Sequence, residues 1–110
     1  MAEGPVASLA AERLIRRTPD HVVPLPAEDL AYLRACLQDL AEAFGLAGCP
    51  PPSLSLLPAR SLMRLLLELR QSLKPQGLEQ RALVGRLAGA ILRLDTACAF
   101  ETARRGGGEA

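Results

Sequence analysis

The stretch Ser61-Leu62-Met63-Arg64-Leu65-Leu66-Leu67-Glu68-Leu69-Arg70-Gln71-Ser72-Leu73 decides how the rest of the chain is read. Its segment Leu62 to Leu66 has the LxxLL pattern with which a short helix can dock into the groove of another protein. Such a box needs a narrow apolar face held out in water. Projected at 100° per residue, Leu62, Leu65, Leu66, Leu69 and Leu73 share one face, and Met63 and Leu67 widen it to an arc of about 200°. Arg60, Ser61, Arg64, Glu68, Gln71 and Ser72 form the remaining polar side. A helix that apolar needs cover from two neighbours, so the stretch reads as the central helix of a bundle.

On either side of it, proline and glycine divide the chain into segments of helical periodicity, and nothing alternates with period two for more than a few residues. The first predicted helix runs from near Pro5 to Arg17 and is stopped by Thr18-Pro19-Asp20-His21; Val22 to Pro26 is an extended connector, because a residue before proline is pushed away from helical angles. The second begins at Pro26 with Glu28 and Asp29 in its first turn, where the helix dipole favours negative charge. Its seam is Leu30, Leu33, Leu37, Leu40 and Phe44, and Gly45 followed by Leu46 is a helix-ending pair. Cys49-Pro50-Pro51-Pro52 is the clearest break, read as a semi-rigid hinge. The third helix spans Pro58 to Lys74, and the fourth runs from Leu78 to about Arg104, roughly 40 Å long.

The expected fold is therefore all-α: an antiparallel bundle of about four helices, with 1–48 as one hairpin, 53–105 as the other and the proline-rich break between them. A length of 110 residues suits a single domain. That domain is set at 1–105, with 106–110 as a disordered tail. With no Trp, one Tyr and two Phe, the core must be built from the chain's 22 leucines. Leucine packing supplies ample hydrophobic drive but few distinctive shapes, so a partner surface is one means of fixing the arrangement.

Thirteen basic and twelve acidic residues leave a net charge of +1, with both signs scattered along the chain. A polyanion binder concentrates its Lys and Arg on one face, so nucleic acid is the second choice of partner. Cys36, Cys49 and Cys98 are far apart, none in a CxxC pair, and His21 is the lone histidine. This spacing suits neither a disulfide framework nor a zinc site. General acid-base or nucleophilic catalysis would need a positioned base or carboxylate pair, and no glycine-rich phosphate loop stands between a strand and a helix. The expectation is a non-enzyme with no cofactor, no metal and no small-molecule substrate. No apolar run reaches the ~18 residues of a membrane span. An intracellular setting, cytoplasmic or nuclear, follows from cysteine usage and the absence of a recognisable secretory leader.

The fourth helix carries the candidate site. Opposite its apolar stripe of Leu83, Val84, Leu87, Ile91, Leu94 and Cys98 lie Ala82, Gly85, Gly89 and Thr96, flanked by Arg86 and Arg93. Two glycines within a helix cost about 1 kcal/mol each relative to alanine. Close approach of another helix backbone is a physical reason to keep them. Ala82, Gly85, Arg86, Gly89, Arg93 and Thr96 are thus the expected protein interface. The function expected is a protein-protein interaction module, a small subunit or adaptor whose partner is itself or another protein; the alternative is a nucleic-acid-associated helical accessory protein.

Overall fold

The computed structural model describes the backbone from Glu3 to Glu109 and the side chains from Leu9 to Arg105. Four α-helices follow one another: α1 (Glu3–Arg17), α2 (Ala27–Phe44), α3 (Ala59–Ser72) and α4 (Gly77–Glu109), with one turn of 3-10 helix at Leu54–Leu56 before α3. Among the described residues there is no strand. The long dimension of the 50 × 35 × 21 Å molecule is matched by α4 alone, whose 33 residues extend about 50 Å.

The boundaries follow from local chemistry. Pro26 and Pro58, both in extended conformation, precede α2 and α3. Gly45 takes the left-handed conformation at the end of α2 (φ 68°), where a side chain would be strained, and both its N–H and that of Leu46 donate to the Ala41 carbonyl. At the start of α4, the Gln80 side chain accepts from the Gln76 N–H at 2.9 Å and donates to the Ala43 carbonyl of α2 at 3.1 Å. One amide therefore serves the N-terminus of α4 and the C-terminus of α2.

The core answers the question posed by the LxxLL segment. Leu62, Met63, Leu66 and Leu67 are buried, and Leu65, Leu69 and Leu73 pack against them. They meet Leu33, Cys36, Leu37 and Leu40 of α2 and Leu87, Ala90, Ile91, Leu94 and Cys98 of α4 in a single cluster. The connector contributes Val23 and the segment before α3 contributes Leu54.

The helix pairing differs from the expected hairpins. Whereas α3 does pack on α4, α1 packs on α3, and the main partner of α2 is α4. The reason lies where α1 meets the start of α3. Arg60 Nε donates to the carbonyls of Ile15 and Thr18, its Nη2 donates to that of Arg16, and its Nη1 lies 3.7 Å from Asp20. In return, the N–H groups of Ala59 and Arg60 donate to the carbonyls of His21 and Pro19. The Arg60 side chain thus serves the carbonyls that end α1, and the carbonyls of the turn after α1 serve the N–H groups that open α3, which fastens α1 to α3. Helix α4 also continues past Arg104 as far as Glu109, and Arg104 and Arg105 pair with Glu101 rather than ending the helix. The expected tail at 106–110 falls on side chains, and at Ala110 on backbone, outside the described residues.

Candidate protein interface on the fourth helix

Helix α4 has three surfaces, and each handles its side chains differently. The innermost one carries Leu87, Ala90, Ile91, Leu94 and Cys98 into the core. A second surface lies along α2, which runs antiparallel to it: Arg93 pairs with Asp29 at 2.6 Å and Arg86 with Asp39 at 2.9 Å. Between these pairs sits Tyr32. Its ring has the Arg93 guanidinium 4.2 Å and the Arg86 guanidinium 5.9 Å from its centroid, and its hydroxyl donates to the Arg86 carbonyl at 3.4 Å. Guanidinium over an aromatic face is favourable on both electrostatic and stacking grounds.

Gly89 is the position that allows this seat. A Cβ there would lie 2.6 Å from the Tyr32 hydroxyl and 3.2 Å from Cζ, whereas a Cβ on Gly85 would meet nothing within 4 Å. The six expected interface residues therefore divide. Gly89, Arg86 and Arg93 meet Tyr32 of their own chain, while Ala82, Gly85 and Thr96 face outward and are exposed.

The third surface is the outer one. Leu78, Ala82, Gly85, Gly89, Leu92, Thr96, Ala99 and Ala103 recur at alternating spacings of four and three. Apart from half-covered Gly89, all are exposed, with Leu78 and Leu92 at 82% and 64%. These positions lie along one outer face of the helix, and Leu78 and Leu92 are its large apolar side chains. Toward its C-terminal end α4 outruns α2. There Phe100, 72% exposed, joins Ala97 and the connector residues Pro24, Leu25 and Pro26 along an open groove of about 710 Å³. Sequence reasoning placed Leu78, Leu92 and Phe100 in no site; the heptad spacing through Leu78 and Leu92 was the signal available.

Elsewhere, polar groups are occupied structurally. Burial pushes the Cys36 and Cys49 thiols up and takes the Cys98 thiol to about 11, the opposite of what an ionised nucleophile requires. Among the described residues no group of three or more His, Cys, Asp or Glu comes together as a metal site, and no helix is long and apolar enough to cross a membrane. Arg16, Arg17, Arg60, Arg86, Arg93, Arg104 and Arg105 each lie within ion-pair distance of an acid. Compared with models of known protein families, with curated proteins and with solved structures, the chain matches none of them.

Proposed function

We propose that the chain is a non-catalytic protein-protein interaction module, a small helical subunit or adaptor that homodimerises or completes a larger complex in an intracellular setting, cytoplasmic or nuclear. The observation that carries this reading is the outer face of α4. Leu78 and Leu92 stand in water there on a face otherwise made of small residues, although the same helix already buries a stripe in the core. Exposed leucines beside small residues on one helix face suit the close approach of another helix. The pairing of seven arginines with acids supports a protein partner over the nucleic-acid alternative, since those charges are already compensated.

Gly85→Leu tests the proposal. Because nothing lies within 4 Å of a Cβ at this position, the variant should keep the parent's helical content and melting behaviour while losing assembly, whether with itself or with a protein that copurifies with the parent. A variant that folds and assembles as the parent does would show that the contact surface lies elsewhere.

A further inference from the structure

Helix α1 is attached differently from the other three. Between Leu9 and Arg17 its apolar side chains are half-buried at most, with Leu9 58% exposed, and an open cleft of about 350 Å³ runs between Ala11 and Leu14 on one side and Leu67 of α3 on the other. Helix α2, by contrast, seats Leu33, Cys36, Leu37 and Leu40 fully in the core. The firm contacts of α1 are polar and gathered at its C-terminal end. There the carbonyls of Ile15, Arg16 and Thr18 accept from the Arg60 side chain, those of Pro19 and His21 accept from the Arg60 and Ala59 N–H groups, and Arg17 pairs on the surface with Asp95 of α4 at 2.8 Å. Beyond this clasp the connector is fixed separately, by Val23 in the core.

A segment with few buried apolar contacts opens at a lower free energy than the core beside it. We infer that α1, together with the turn as far as His21, is a strap that opens as one unit about the connector at Val22 and Val23 while α2, α3 and α4 stay folded. Opening releases the Arg60 clasp and the Arg17–Asp95 pair together, because both belong to the same end of α1. It uncovers the flank of α3 that carries Leu67 and leaves the packing of α3 on α4 untouched. The helix that bears the LxxLL pattern therefore has one flank that is covered only while the strap is closed.

Two amides outside α1 report on the strap. The N–H groups of Ala59 and Arg60 stand in the first turn of α3, where no carbonyl of their own helix reaches them, so their partners are the strap carbonyls of His21 and Pro19 at 2.8 and 3.0 Å. Native-state hydrogen exchange of the parent chain, read residue by residue and corrected for intrinsic rates, tests the inference. The amides of Leu14 to Arg17 should exchange about tenfold or more faster than those of Leu37 in α2, Leu66 in α3 and Leu94 in α4. Those of Ala59 and Arg60 should follow the rate of α1 rather than that of Leu66 in their own helix. In low denaturant the rate shared by the strap amides should rise less steeply than the rate at Leu37, because opening the strap exposes less surface than unfolding the chain. Exchange of α1 at the rate and with the denaturant slope of Leu37, Leu66 and Leu94 would place it in the global unfolding unit and overturn the strap. Fast exchange in α1 with Ala59 and Arg60 as slow as Leu66 would mean that the helix frays while the clasp stays closed, which overturns it equally.

Discussion

Gly85 and Gly89 have the same residue type on the same helix, four residues apart, yet their surroundings give them opposite tasks. Alanine at Gly85 meets open space and reduces the backbone entropy lost on folding, so Gly85→Ala should raise stability by up to about 1 kcal/mol in chemical denaturation. At Gly89 the added methyl meets Tyr32, whose ring is held by Arg93, so Gly89→Ala should forfeit that gain. Adding Tyr32→Phe, which removes the hydroxyl 2.6 Å away, should recover part of it. Spacing alone showed that both glycines needed a reason. It could not show that Tyr32 supplies the reason for one, because that depends on how α2 slides along α4. Acid sensitivity also resides in a single side chain. Arg104 first, with Arg105, holds the Glu101 carboxyl below the usual carboxylate range. The stability it contributes is present above the ordinary glutamate pKa and is lost as pH falls through the lowered value. Thermal melts of Glu101→Gln should therefore lack this part of the acid dependence and approach those of the parent at low pH.

For whole elements, periodicity was a good guide to burial and a poor one to pairing. The wide apolar arc of α3 was legible because helical geometry maps sequence directly onto a surface, and Leu62, Met63, Leu66 and Leu67 are indeed inside. Leu66→Ala should accordingly cost about 2 to 5 kcal/mol in equilibrium unfolding. Unchanged stability combined with loss of a bound ligand would restore the docking-box reading. The attachment of α1 to α3 was not legible, because Arg60 reads as one more residue on the polar side of α3. A signal was nonetheless present: a cation in a helix's first turn opposes the dipole of its own helix and therefore calls for another partner. Arg60 finds it in the last carbonyls of α1. Arg60→Met keeps much of the stem but removes the donors. It should cost about 1 to 3 kcal/mol and increase hydrogen exchange in α1 before it does so in α2, which is held separately by α4.

At the scale of the molecule, the leucine core and the all-helical architecture could be read from composition and periodicity, whereas which of the candidate interface residues stay exposed could be read only in part. Ala82, Gly85 and Thr96 belong to an exposed face, as their spacing suggested, but Arg86 and Arg93 are engaged with Asp39, Asp29 and Tyr32 within the chain. The same helix thus holds α2 with one surface and leaves another, bearing Leu78 and Leu92, in water. The central claim, in the homodimer form of the proposal, is that a second copy joins the chain on this outer surface. Light scattering of the purified parent and Leu92→Glu over a wide concentration range tests it most directly. The account predicts that the parent's molar mass rises from 11.7 kDa toward twice that value, while equally helical Leu92→Glu stays at the lower one. A parent that remains monomeric throughout, or a Leu92→Glu variant that dimerises as readily as the parent, would contradict it.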